Sequence, residues 1–200
     1  MDTFKVLLLI ARPAAGKSEI IDYLKKTPLD SRKTRFHIGE FKEIDDFPML
    51  WTWFEEDASL EEMGRPRLHT TKEGNFKYDY LWDLLIERIS LEYQKLMRDY
   101  GGDTVILEFS RGSEHGGYRS AFEHLSEDIL EHLAILYIDV PWEESLRKNR
   151  KRFNPDRPDS ILEHGLSDEK LEKLYRETDW EELTREQPDR IEIKGISVPY

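Results

Sequence analysis

Short apolar runs alternate with amphipathic segments along this chain. Residues 6–10 (VLLLI), 104–109 (TVILEF) and 133–140 (LAILYIDV) are almost continuously apolar, which is typical of strands buried on both faces of a parallel sheet. The longest helical pattern covers residues 78–100, with apolar side chains on one stripe and charges opposite. Helical segments long enough to cross over separate the runs, so the pattern predicts an α/β fold with three layers.

Two further segments are predicted strands. Residues 35–38 (RFHI) form a short second strand in this interpretation, and residues 190–193 (RIEI) form a final one. The predicted parallel sheet then has about five strands with helices on both faces. Residues 41–76 show no clear period, and we expect a substrate-side insertion at about 41–77.

Length and composition narrow the function classes. Two hundred residues suit a single domain, 1–200, and the absence of Cys excludes disulfides, thiolate metal sites and a Cys nucleophile. No apolar run is long enough to span a membrane, so we expect a soluble, cytoplasmic protein with no membrane partner. A net charge of −12 argues against a nucleic acid polymer as partner, although a small nucleotide stays compatible with it.

The motif with the most specific chemistry is ARPAAGKS, residues 11–18, between the first apolar run and the first helical pattern. In that context, successive backbone amides and a helix N-terminus converge on one point and bind phosphate. Lys17 can reach the outer phosphates of a nucleotide, and the Ser18 hydroxyl can bind Mg²⁺. The predicted nucleotide-binding residues in this loop are Pro13, Ala14, Ala15, Gly16, Lys17 and Ser18.

The motif departs from the phosphate-loop pattern at one position. Ala11 stands where the pattern has its first Gly, and Ala fits there only if φ is negative. The alternative is an ordinary turn with a surface Lys. The apolar run before the motif and the helical pattern after it favour a phosphate loop.

Three charged side chains are predicted at the edge where the strands end, because ligands of parallel α/β sheets bind there. Glu40 follows the predicted second strand and could accept the proton of a substrate hydroxyl; the alternative is an exposed acid. Glu108 interrupts an apolar strand near its end and is a candidate Mg²⁺ ligand, or an acid that faces solvent. Arg111 follows in a Gly-rich loop that suits contact with substrate or phosphate.

Aromatic and basic segments supply the remaining candidates. Trp51 and Phe54 could form one wall of a pocket for a planar substrate, or could simply pack in the core. Arg147, Arg150 and Arg152 cluster near the end of a predicted helix, before a loop rich in Pro, Gly and Asp. They indicate either a solvated face or a helical lid, at about 147–167, that brings Arg side chains over the phosphates.

These features resemble the P-loop nucleoside and nucleotide kinases, closest to the deoxynucleoside kinase and thymidylate kinase group. ARPAAGKS is similar to the loop of that group, and residues 107–111 (LEFSR) are similar to its Glu-Arg-Ser region. Glu40 with Trp51 resembles the carboxylate and Trp after the second strand, and Arg150 with Arg152 resembles the lid.

The resemblance implies a P-loop NTPase fold and a Mg²⁺-dependent kinase that moves the γ-phosphoryl group of ATP to a nucleoside or nucleotide. With the residue patterns above, it predicts Lys17, Glu40, Arg111, Arg150 and Arg152 as catalytic residues, and Arg147 and Arg150 as nucleotide contacts. We expect Ser18 and Glu108 to hold Mg²⁺, and Glu40, Trp51, Phe54 and Arg111 to contact the acceptor. A homodimer is compatible with this interpretation.

Two other classes stay open. The chain could be an ATP-binding regulatory or scaffold protein, which the altered loop glycine favours. It could also be a nucleotide hydrolase, which releases phosphate without any acceptor. The predicted lid arginines and the predicted proton acceptor favour a kinase, because a passive binding module needs neither.

Overall fold

The computed structural model describes residues 2–100, 102–152, 156 and 165–200. In chain order the strands are β1 (Val6–Ala11), β2 (Phe41–Asp45), β3 (Thr104–Phe109), β4 (Leu133–Ile138), β5 (Arg190–Ile193) and β6 (Ile196–Pro199). The helices are α1 (Lys17–Lys26), α2 (Leu29–Phe36), α3 (Asp46–Glu62), α4 (Tyr80–Asp99), α5 (Gly117–Glu123), α6 (Glu127–Leu130), α7 (Trp142–Arg152), α8 (Asp168–Tyr175) and α9 (Trp180–Leu183), with a 3₁₀ turn at Ser113–His115. No helix in the described ranges has the length and apolar character that crossing a bilayer requires.

The central sheet has four parallel strands in the order β2-β3-β1-β4. Since all four run the same way, the residues that follow β1, β2, β3 and β4 share one edge, the carboxyl edge. The α/β class and the parallel sheet are therefore confirmed. The predicted fifth strand of that sheet is wrong, because residues 190–193 pair with β6 in a separate antiparallel hairpin.

Helices pack against both faces of the sheet. Alternate residues of β1 point to opposite faces, as the strand period requires. Leu8 belongs to the larger core, which includes Ile86 of α4 and Tyr118 of α5, whereas Leu9 packs with Leu24 of α1. This arrangement is compatible with three layers. The helical pattern over 78–100 is likewise confirmed as α4, whose buried stripe includes Ile86.

Two predictions for the region after α1 are wrong. The segment 35–38 is not a strand, because α2 continues to Phe36 and His37 ends it in a left-handed conformation with φ 55°. The segment 41–77 is not an irregular insertion either. It contains β2, an edge strand of the central sheet, and the 17-residue helix α3.

Candidate functional site at the carboxyl edge of the sheet

The turn between β1 and α1 meets the backbone condition that the sequence set at Ala11. Ala11 is the last residue of β1 and is not among the residues with positive φ, so the missing glycine causes no strain there. Gly16 has φ 114° directly before α1, and Ala14 has φ 57°. The Ala15 amide donates to the Arg12 carbonyl at 3.3 Å. Pro13, Ala14, Ala15 and Gly16 thus form a tight turn that leads into a helix N-terminus.

Lys17 is buried at the carboxyl edge. Its Nζ donates to Ser110 Oγ at 2.7 Å and lies 3.7 Å from Glu108 Oε1. Burial lowers the pKa of Lys17, and the Coulomb attraction of Glu108 partly opposes that shift. The structure therefore brings the predicted Lys17 and Glu108 together, one residue from the end of β3.

Asp45 is a carboxylate that the sequence analysis missed. It ends β2 and lies opposite Glu108 in the strand register. Its Oδ1 accepts the Phe47 amide at 3.0 Å and caps α3. Burial, together with the negative charges of Asp46 and Glu108, raises the pKa of Asp45 to about 7.

The oxygen donors near Lys17 suit a hard cation. Ser18 is exposed in the first turn of α1, and Glu108 lies at the end of β3. Burial raises the pKa of Glu108, while the positive charges of Lys17 and Arg152 partly oppose the rise. Among the described residues, no group of three His, Cys, Asp or Glu side chains could hold a metal by itself. That is compatible with Mg²⁺, which protein sites usually bind through one or two carboxylates and substrate phosphates.

Arg111 is buried inside the protein and does not project into the edge. One terminal nitrogen donates to Asp46 Oδ2 and to the Ser110 carbonyl, each at 2.7 Å, and the other donates to the Trp82 carbonyl at 3.1 Å. The guanidinium also lies 5.3 Å from the centre of the Trp82 ring. Arg111 therefore connects β3 to α3 and α4, which is a structural position and not the acceptor contact that we predicted.

The predicted position of Glu40 is wrong. Glu40 precedes β2, and its carbonyl accepts the Thr104 amide at the start of β3, so it lies at the amino edge of the sheet. Its exposed carboxylate is 3.5 Å from Arg32. The error follows from the misplaced strand: β2 begins after Glu40, and Asp45 occupies the edge position instead. The sequence did contain a signal for Asp45, because the apolar residue Ile44 is followed directly by this acid.

Trp51 and Phe54 lie along one side of α3. Both are half-buried, and their ring centroids are 6.3 Å apart. Phe54 also stacks on Phe76 at 6.1 Å, and Trp51 packs near Phe47 at 5.9 Å. They form a partly exposed aromatic row along α3, and the substrate wall stays a prediction.

The basic side chains of α7 separate onto different faces. Arg147 pairs with Glu144 one turn earlier, at 2.7 Å, and Arg150 forms a bidentate ion pair with Asp168 of α8. Both arginines are mostly exposed. Arg152 lies near enough to Lys17 and Glu108 to affect both. The predicted lid, 147–167, lies partly outside the described residues, at 153–155 and 157–164.

Two side chains, Ser145 and Arg12, fix the loop against α7, the segment after β4 and the end of α8. Ser145 Oγ donates to the Pro13 carbonyl at 2.7 Å. Arg12 donates to the Val140 carbonyl at 3.2 Å and to the Arg176 carbonyl at 3.1 Å. The position of the loop therefore depends on β4, α7 and α8 as well as on its own sequence.

Comparison with known proteins identifies no family for this chain. No protein-family model matches it. No curated protein matches it either. The solved structure of a protein called APE1195 is similar to it at 16% identity, covering 76% of this chain and 69% of that one, with a TM-score of 0.40. A similarity at that level supports no inference about activity.

Proposed function

We propose that this chain is an ATP- and Mg²⁺-dependent phosphotransferase with a P-loop NTPase fold. The observation that supports it most is the surroundings of Lys17. A buried lysine directly follows the Gly16 turn, and its ammonium group faces Ser110 and Glu108 at the carboxyl edge. Backbone amides, a helix N-terminus and a lysine then converge where a triphosphate can bind.

Lys17 and the backbone amides within residues 14–18 hold the β- and γ-phosphates in this proposal. Ser18 and Glu108 would hold Mg²⁺, which supplies charge neutralisation at the transferring phosphoryl group when it is bound. The Lys17–Glu108 contact keeps these two side chains adjacent, so the cation and the lysine act on the same phosphates.

Asp45 takes over the role that we expected of Glu40. It lies opposite Glu108 in the register and at the same edge as Lys17, whereas Glu40 lies at the other end of the sheet. A carboxylate there can accept the proton of an acceptor hydroxyl as it attacks the phosphoryl group. Nucleosides and nucleotides are the first acceptors to test, because of the resemblance in sequence.

Acceptor-dependent formation of ADP tests the proposal. A panel of nucleosides, nucleotides and sugars is incubated with MgATP and wild-type protein, Lys17→Ala or Asp45→Asn. We expect turnover with at least one acceptor, none with Lys17→Ala, and a fall in kcat of about 100-fold or more with Asp45→Asn. Asn caps helices as well as Asp does, so Asp45→Asn keeps α3 intact while it removes the proton acceptor.

Glu56→Gln is the matched control, because Glu56 is an exposed acid on α3, the helix that Asp45 caps. Its kcat should stay within about twofold of wild type. Turnover that persists in Lys17→Ala contradicts the proposal. Phosphate release without any acceptor would instead indicate a hydrolase, and binding without turnover would indicate a regulatory ATP-binding protein.

A further inference from the structure

One face of α7 is directed at the phosphate loop. Positions three and four apart share a helix face, which groups Ser145, Lys148, Asn149 and Arg152. Ser145 and Asn149 are buried, and Ser145 holds the Pro13 carbonyl. The Asn149 amide nitrogen donates to the Leu166 carbonyl at 2.7 Å. These two anchors fix the rotation of α7 about its axis and therefore fix which basic side chains face the loop.

Lys148 is the basic residue that this rotation brings onto Gly16. A Cβ added to Gly16 would lie 3.6 Å from Lys148 Nζ. The same ammonium group is 3.9 Å from Glu19 Oε1 in the first turn of α1, and about a third of the side chain, 32%, is exposed. Lys148 therefore stands beside the turn and the helix start at which the proposed triphosphate is held.

Two of the three arginines that the sequence indicated, Arg147 and Arg150, have other partners, whereas Arg152 lies near Lys17 and Glu108. Arg147 lies on a different face of α7 and pairs with Glu144, and Arg150 pairs with Asp168. Each would have to leave an ion pair with good geometry to reach a nucleotide. The Lys148–Glu19 contact is longer, at 3.9 Å, and the Glu19 side chain is 72% exposed. This contact therefore competes weakly with a phosphate group for the ammonium of Lys148.

We propose that Lys148 is a second phosphate-binding lysine, which reaches over the Gly16 turn from α7 and contacts the nucleotide together with Lys17. This inference rests on the proposed function, because it assigns a further residue to the same nucleotide site. In this proposal Lys17 contacts the phosphates from the end of β3, where it binds Ser110. Lys148 contacts them from α7, beside Gly16. Two cations from different elements would hold the triphosphate more tightly than the loop with one lysine.

Calorimetric titration with MgATP tests this assignment on wild-type protein, Lys148→Ala, Lys148→Arg and Lys151→Ala. Lys151 is the matched control, because it is an exposed lysine on the same helix. We expect Lys148→Ala to raise the Kd for MgATP about tenfold or more, as loss of a charge-assisted hydrogen bond does. Lys148→Arg keeps the charge and should restore affinity to within about threefold of wild type. Lys151→Ala should match wild type.

Thermal unfolding of the same variants tests whether the fold is intact. Because Lys148 is partly exposed, its removal should leave Tm unchanged. If Lys148→Ala binds MgATP as tightly as Lys151→Ala does, the assignment of Lys148 is wrong while the proposed function stands. If Lys148→Arg fails to restore affinity, charge is not what Lys148 supplies, and the assignment is also wrong. If wild-type protein binds no MgATP, the proposed function itself fails.

Discussion

At the scale of single residues, the buried pair Arg111–Asp46 shows how a charge that looks catalytic in the sequence can be structural. Its two side chains are almost completely buried, and their 2.7 Å contact joins the end of β3 to the start of α3. A buried charge is tolerated only when it is paired and hydrogen-bonded. Because Asp46 and two carbonyls already accept from Arg111, its donors serve the fold.

We predict that Arg111→Met destabilises the protein by about 3–5 kcal/mol, because it leaves Asp46 buried without its partner. Urea unfolding measures the loss. The double variant Asp46→Asn/Arg111→Met should lose less than the sum of the two single variants, since both remove the same contact. Arg98→Ala, which breaks an exposed pair with Asp99, should leave the urea unfolding midpoint close to that of wild type. A change below about 1 kcal/mol for Arg111→Met would contradict the structural role.

The residues of the site could be predicted only in part. Lys17 and Glu108 were found because a specific motif and a carboxylate in an apolar strand are both visible in the sequence. Asp45 was missed because its neighbourhood was assigned to an insertion. The sequence did not indicate Lys148, our proposed second phosphate contact, because the rotation of α7 depends on the distant contact between Ser145 and Pro13.

At the scale of elements, the loop after α3 is organised by one carboxylate. Asp57 of α3 is fully buried and accepts the amides of Leu68, His69 and Thr70, with distances of 2.6 Å to Leu68 and 2.9 Å to His69. Burial by itself would raise the pKa of Asp57, but these hydrogen bonds outweigh it and lower the pKa to about 2. The carboxylate thus satisfies three consecutive backbone amides of this loop.

We predict that Asp57→Asn lowers the free energy of unfolding by about 1–3 kcal/mol at pH 7, because Asn cannot accept all of these donors. The pKa of Asp57 is lower in the folded state than in the unfolded chain. Its stabilisation is therefore complete above about pH 4 and is lost as the pH falls toward 2.

The difference between wild type and Asp57→Asn should consequently be smaller in urea unfolding at about pH 3 than at pH 7. Glu56→Gln, an exposed neighbour on the same helix, should show no such change with pH. A difference that is the same at both pH values would contradict the role of the ionised carboxylate.

The elements themselves were predicted unevenly. The apolar runs of β1 and β3 are unambiguous because both faces of each strand are covered, whereas β4 is buried only over its first three residues. The segment 35–38 has the alternation of a strand, yet Arg32 of α2 donates to the Leu24 and Gly39 carbonyls and holds this segment to α1. Such tertiary contacts override a short local pattern.

At the scale of the whole molecule, the C-terminal hairpin completes the core beside β4. Ile191 and Val198 are paired in the hairpin register, and both belong with Ile193 to the larger hydrophobic core. Tyr200 packs edge-on against Trp180, with ring centroids 5.2 Å apart. The sequence predicted the strand at 190–193 but not its pairing, because a four-residue pattern does not say which strand lies beside it.

We predict that Ile193→Ala destabilises the protein by about 2–5 kcal/mol, as truncation of a buried aliphatic side chain does. Chemical denaturation measures the change. Glu192→Ala is the matched control, because Glu192 is the exposed neighbour on β5, and it should change stability by no more than about 0.5 kcal/mol. Equal effects of the two substitutions would show that the hairpin is not part of the cooperative core.

The central claim is that the turn before α1 binds a nucleoside triphosphate through Lys17. Calorimetric titration of MgATP into folded wild-type protein and Lys17→Ala tests it most directly. We predict saturable binding by wild type and a Kd at least about tenfold higher for Lys17→Ala. No binding of either MgATP or MgGTP by the wild-type protein, or equal affinity in Lys17→Ala, would contradict the account.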